Sequence, residues 1–556
     1  MMTFERGYQI FVRTAYIVGI AIIIVFLPFS KYILSIGMWT VTGAWILERV
    51  NLTKFLGFFK KGSLFRKITL AFPYTLMLWF ESIVRGFKLF FRNKPAMILA
   101  SVYMLHILGL FFTSDFGYAI KDLRTKAPML ILPLYFATSK AFGRADFYRF
   151  ILIFVVNMVV VTLANTWKLF NFEFIDIRDI SRHISHIILS LMISMAIFIS
   201  GYFLIRKKRI SIWIKSVSFI LIIWFFIYLV ISRSFTGLGV FVITLLILLV
   251  IYTFRSRSIW LKAGCILSII IMVGGGALYL RSVVRAYYRV ETVDFSTLEA
   301  ISPKGNPYVH NPASKQTENG HYLWIYIQWN ELREGWSKRS GIHFDSTDLK
   351  GQQVKFTLIR YLSSKGCRKD ADGIDQLTGE DIEAIERGIA DVVNLNRLSL
   401  RGRIYELLMG YESYLETGDP TGSSLMQRLE FWKASWGIVS EHWSTGVGTG
   451  DMNHAFVEQY EKMNTKLASE QWWRSHNQYL SILIGFGIFG LAWFLVSLIY
   501  PAVVKRGFQD YFFLTFFIIA MCSMLTEDTL ESQAGVSFFY FFFAFFLFGR
   551  RDQDPL

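Results

Sequence analysis

RSHNQYLSILIGFGIFGLAWFLVSLIY, residues Arg474–Tyr500, decides how this chain is read. Arg474, Ser475 and His476 stand directly before an apolar run long enough to cross a bilayer, for which about 20 residues suffice. Just upstream, SSLMQRLEFWKASWGIVSEHWSTGVGTGD (Ser423–Asp451) reads as a polar helix carrying Arg428, followed by a turn with Gly446, Gly448 and Gly450. Arginines and a histidine at a membrane mouth suit an anionic, membrane-held ligand.

Composition supports the membrane reading. The 556 residues are 54% hydrophobic and only 18% charged, which sets the chain among polytopic membrane proteins. The net charge of +17 then reflects Lys and Arg that fix orientation. No basic stretch interleaved with aromatics occurs in a polar segment, so nucleic acid is not an expected partner. Cys265, Cys367 and Cys522 form neither a disulfide framework nor a CxxC pair, and no HExxH occurs, so neither a metal nor another cofactor is expected. The first apolar run lacks a small-x-small cleavage site and reads as a retained span.

Apolar runs occur at 8–28, 31–48, 96–113, 127–141, 148–166, 184–205, 211–231, 235–254, 259–280, 478–500, 511–526 and 533–549. The expected architecture is therefore all-α, with about 12 transmembrane helices. The segment 69–91 carries Pro73, Glu81, Arg85 and Lys88 and is expected to be an interfacial or re-entrant helix. Basic clusters at Arg206–Arg209, Arg255 with Arg257, Lys505–Arg506 and Arg550–Arg551 place both termini in the cytoplasm. Three domains follow: transmembrane 1–280, an outer insert 281–476, and transmembrane 477–556. The insert is too long for a connecting loop and reads as a folded, mixed but mainly helical domain before the last three spans. Within it, Tyr322–Trp329 and Gln353–Tyr361 look like strands from their aromatic and β-branched content. Thr378 followed by Asp381 marks a helix start, and further helices are expected near 396–416 and from Ser424.

The candidate site residues each carry two readings. Arg233, between two spans, either snorkels to water or grips a phosphate bidentately. Arg428 either pairs with a carboxylate such as Glu430 or Glu441, or acts with the first helical turn on an anion. His476 either bonds backbone at the interface or, opening a helix and so biased toward neutral imidazole, serves as a general base. Gly446–Gly450 is not followed by GK[ST], so it is no nucleotide loop. Glu527, Asp528 and Glu531, before the last span, either orient arginines or form a solvated loop.

Together, ISRSFTGLGVF around Arg233, QRLEFWKASWGIVSEHWSTGVGTGD around Arg428 and SHNQYLSILIGFGIFG around His476 resemble the O-antigen ligase family of bacterial membrane glycosyltransferases. That family includes O-antigen polymerases and protein O-oligosaccharyltransferases. The resemblance is best across about 211–500, and the insert around 290–420 departs from it. It implies an inner-membrane enzyme of lipopolysaccharide biosynthesis with a periplasmic site. Such an enzyme transfers a glycan from undecaprenyl diphosphate to a hydroxyl of lipid A-core or another glycan acceptor, without a metal and with inversion. It also implies His476 as base and Arg233 and Arg428 as diphosphate ligands, with Arg124 and Arg474 as further candidates. A polymerase of the same family, a protein O-oligosaccharyltransferase and a non-catalytic transporter of lipid-linked glycan are the alternatives. The spans are mostly apolar, and the polar groups gather at the outer mouth, which favours an enzyme over a transporter.

Overall fold

The computed structural model describes residues 2–60, 64–172, 180–181, 184–205, 211–232, 234–395 and 399–550. Helices dominate. Among the described residues, eight are long and apolar enough to cross a membrane: Phe4–Phe26, Lys94–Phe112, Arg144–Asn171, His186–Ile205, Ile212–Ile231, Phe235–Arg255, Ile259–Tyr287 and Gln478–Val504. This suits an all-α polytopic membrane protein. The remaining apolar runs also form helices. Lys31–Glu48 is bounded by charge, and Pro128–Thr138, Tyr511–Ser523 and Gln533–Phe548 are shorter. Gln533–Phe548 has every residue from Ala534 onward buried in protein, so its length need not match a bilayer. The segment 69–91 lies within one helix, Leu64–Arg92, whose Glu81 meets both Arg85 and Lys54.

By contact the chain divides into two compact units, Met1–Leu248 with Gln427–Leu556, and Leu249–Met426. The second combines helices, one short two-stranded pairing and long irregular segments around a core of Leu332, Trp336, Phe344, Leu358, Tyr361 and Ile385. Two sequence expectations fail here. Gln353–Tyr361 is not a strand, because Val354–Ser364 is an α-helix. Its buried residues include Val354, Leu358, Tyr361 and Leu362, a 3.6-residue spacing that the β-branched content obscured, while Phe356 faces outward. Tyr322–Trp329 is not a continuous strand either. His321–Tyr322 pairs with Thr317–Glu318, Ile327 makes isolated bridges to Val309 and Lys369, and Trp329 already begins a helix. The capping box at Thr378 and Asp381 does form and opens the helix Gly379–Glu386.

The first unit packs its helices around interlocking phenylalanines. Phe541, Phe542 and Phe545 of the last helix meet Phe136, Phe147, Phe150 and Phe154 at ring separations of 4.8–6.0 Å. The helix Gln478–Val504 is broken at Gly487, which adopts φ +64° and ψ −170°. A break frees backbone groups that an apolar surrounding cannot solvate. The glycine turn takes them up. Val447 N–H donates to Ile484 O at 2.9 Å, Gly448 N–H to Gly485 O at 3.0 Å, and Ile488 N–H to Trp443 O at 2.8 Å. A Cβ on Gly487 would stand 2.1 Å from Ser444 O. We expect Gly487→Ala to lower stability by at least about 1–3 kcal/mol from backbone strain alone. Gly43→Ala, with open space around its Cβ, should be neutral or slightly stabilising. Thermal melting of both variants in detergent checks this, and equal melting temperatures would refute it.

Candidate functional site

The mouth is assembled from four pieces of the first unit: the helix Phe116–Lys126, the helix Ser424–His442 from Gln427 onward, the segment 472–477, and the loop 524–532 before the last helix. The loop is the keystone. Leu530 N–H donates to Gln478 Oε1 at 2.7 Å, while Leu525 O accepts from Asn477 Nδ2 at 3.0 Å. Its three carboxylates then reach in different directions.

Asp528 holds the backbone of His476. Its Oδ2 accepts from His476 N–H at 3.0 Å, and its Oδ1 from Ser481 Oγ at 2.7 Å and Ser475 Oγ at 3.2 Å. Burial, followed by the neighbouring Glu531, pushes the Asp528 carboxyl above its ordinary value. His476 has φ +46°, a left-handed conformation uncommon outside glycine and often associated with functional positions. The sequence places His476 at the helix start, but the cap is Asn477, whose side chain accepts from Tyr479 N–H and Leu480 N–H. His476 therefore stands one residue ahead of the cap, fixed by Asp528 rather than by the helix. Its ring packs over buried Phe431 at 5.5 Å and remains one-third exposed.

Glu527 lies between the imidazole and Arg428. Arg428 Nη2 donates to Glu527 Oε1 at 2.6 Å, and His476 Nδ1 lies 3.6 Å from Glu527 Oε2. Arg428 is the fifth residue of its helix rather than one of the first turn, so its charge acts through this pair and not through the helix end. The carboxylates suggested for it by sequence are taken by others, Glu430 by Lys433 and Glu441 by Lys462. Nε2 of His476, and Nε and Nη1 of Arg428, have no partner among the described residues.

Glu531 bonds Arg474 Nη1 at 3.0 Å and Lys126 Nζ at 3.0 Å, and Lys126 also meets Asp122 at 3.0 Å. Arg474 is fully engaged: Nε donates to Asn453 Oδ1 at 2.9 Å, Nη2 to Tyr118 Oη, and the guanidinium lies over the Tyr118 ring. Arg124, on the same helix as Lys126, is exposed and has no ion-pair partner among the described residues. Arg233 lies outside the described residues. Sequence reading named Glu527, Asp528 and Glu531 but missed Tyr118, Asp122, Lys126 and Asn453. The i,i+4 spacing of Asp122 and Lys126 was the available signal.

The glycine turn binds no anion through its backbone. Its five amides are spent on protein acceptors: Gly446 on His442 O, Val447 on Ile484 O, Gly448 on Gly485 O, Thr449 on Gly109 O, and Gly450 on Thr113 Oγ1. Among the described residues no cluster of His, Cys, Asp and Glu could hold a metal ion.

Residues 383–495 match the family model described as O-antigen ligase. The match supports membership of that family. It covers Arg428, the glycine turn, His476 and the broken part of the membrane helix, and it stops before the carboxylate loop. A search of curated proteins finds no match for the chain.

Burial opposes the charge on Glu531, but Lys126 and Arg474 outweigh it and hold its carboxyl at about 2, below an ordinary 4.5. A lowered acid contributes stability that is whole above its unfolded value and fades as pH falls toward its folded one. We expect Glu531→Gln to cost about 3–5 kcal/mol at neutral pH, because buried Lys126 and largely buried Arg474 lose the carboxylate they share. The deficit relative to the unsubstituted protein should shrink between pH 4.5 and pH 2. Melting curves at pH 7 and pH 3 check this, and equal deficits at the two would refute it.

Proposed function

We propose that this protein is an O-antigen ligase family enzyme that transfers a glycan from undecaprenyl diphosphate to a hydroxyl of lipid A-core on the periplasmic face of the inner membrane. The observation that carries the reading is the Arg428–Glu527–His476 arrangement. One carboxylate holds a half-buried guanidinium at 2.6 Å and faces the imidazole at 3.6 Å. Cation and base are thereby kept side by side, as a reaction with an anionic leaving group and a hydroxyl nucleophile requires.

The chemistry follows from those positions. His476 Nε2 accepts the proton of the acceptor hydroxyl. The oxygen attacks the anomeric carbon as the bond from that carbon to the diphosphate oxygen breaks, and the electron pair leaves with the undecaprenyl diphosphate. Attack from the face opposite the leaving group inverts the anomeric centre. Glu527 stabilises the imidazolium that forms, as a carboxylate beside a catalytic histidine does. Arg428, through its free Nε and Nη1, takes up the charge developing on the diphosphate, with Arg233 and the exposed Arg124 as further donors. Fixed guanidiniums supply this charge stabilisation without a metal. Arg474, occupied by Asn453, Glu531 and Tyr118, adds positive charge and holds the mouth in place.

His476→Asn tests the base. Asparagine tolerates the left-handed backbone of this position but takes up no proton. Transfer from lipid-linked donor by the purified variant should fall about 10²–10⁴-fold with melting unchanged. Full activity would remove the mechanism. With the unsubstituted protein, a finished chain on lipid A-core is the expected product. A ladder of donor-linked repeats would replace that acceptor with the growing polysaccharide.

A further inference from the structure

Two tryptophans precede the mouth, and the fold treats them differently. Trp472 is used inside: its ring stacks on buried Tyr460 at 5.5 Å, and its Nε1 donates to Leu467 O at 3.0 Å. Trp473 is 58% exposed, and its ring lies 6.3 Å from that of His476 at 43°. Looseness does not explain this exposure. The Trp473 carbonyl accepts from Tyr460 Oη at 2.7 Å, its N–H donates to Gln471 O at 2.9 Å, and the Ser475 carbonyl accepts from Trp432 Nε1 at 3.0 Å. Pinned backbone on both sides fixes the point from which the indole projects beside His476. Its Nε1–H has no partner among the described residues, although an indole N–H normally finds one when covered.

An exposed aromatic plane on pinned backbone, with an unspent donor and beside a one-third-exposed imidazole, has the features a ring sugar requires. The C–H face of a pyranose is apolar and lies flat on an indole, while its edge carries hydroxyls for Nε1–H. Trp436 and Trp443 are as exposed as Trp473 but make no ring contact with His476, so exposure alone does not single it out. We propose that Trp473 is the acceptor platform: it stacks the pyranose whose hydroxyl is deprotonated by His476. This rests on the reading of His476 as base. It makes the acceptor a carbohydrate ring rather than a protein hydroxyl, and it makes Trp473 a residue of acceptor specificity rather than a membrane anchor.

The test uses the full chain in nanodiscs, with lipid-linked glycan as donor and rough-type lipopolysaccharide as acceptor. For Trp473→Ala we expect the acceptor KM to rise about tenfold, with the donor KM unchanged and kcat within about threefold. Trp473→Phe, which keeps an aromatic plane, should restore most of the acceptor affinity. Binding of delipidated core oligosaccharide, measured by calorimetry without donor, should weaken in Trp473→Ala and persist in His476→Asn. A raised donor KM alone would place the stack on the donor sugar, and unchanged constants would leave Trp473 a membrane-interface residue; either overturns the proposal. An active His476→Asn would instead remove the base and leave the binding measurement to stand by itself.

Discussion

Glu531 between Lys126 and Arg474 is the interaction on which the mouth depends. Two cations and a carboxylate, all largely shielded from water, are stable only while each has its partner. Satisfying them ties the helix Phe116–Lys126 and the segment before the helix Gln478–Val504 to the loop 524–532. Once Glu531 is placed, Asp528 and Glu527 fall where they hold the His476 backbone and Arg428. Charge neutralisation deep in the mouth thus sets the geometry of the groups that face its opening.

A second constraint works from below. The membrane helix Gln478–Val504 cannot be continuous through Gly487 and also leave its backbone paired, so another chain segment must supply donors and acceptors there. The turn Gly446–Gly450 does so with its own amides, and its glycines permit backbone-to-backbone approach: a Cβ on Gly446 would meet Gly485 at 2.3 Å. The helix bearing Arg428 runs into this turn, and the helix following His476 contains the break. The two candidate groups are therefore held by one packed junction rather than by flexible loops, as preorganised chemistry demands.

Part of the site was legible because its signals are local. A basic residue ahead of an apolar run, a histidine before a capped helix, and three acids between two spans are visible in short windows. The capping box at Thr378 was legible for the same reason. The strand expected at Gln353–Tyr361 went wrong because residue type was weighed above spacing, and Val354, Leu358, Tyr361 and Leu362 share a helical face. The nearby carboxylates offered for Arg428, Glu430 and Glu441, are not its partners; it pairs with Glu527, 99 residues away, one of the acids that could orient arginines by sequence.

By itself the sequence determined that this is a largely helical, multi-pass membrane chain, and it pointed to Arg428 and His476 as candidate site groups. Hydropathy and basic clusters are additive properties of short segments, so no fold is needed to read them. Tertiary structure alone decided which groups are spent and which are free. Arg474 and the amides of the glycine turn are occupied, while among the described residues His476 Nε2 and two nitrogens of Arg428 have no partner and Trp473 stays exposed. That distinction depends on partners distant in sequence, because a buried polar group takes whatever partner the fold brings within reach.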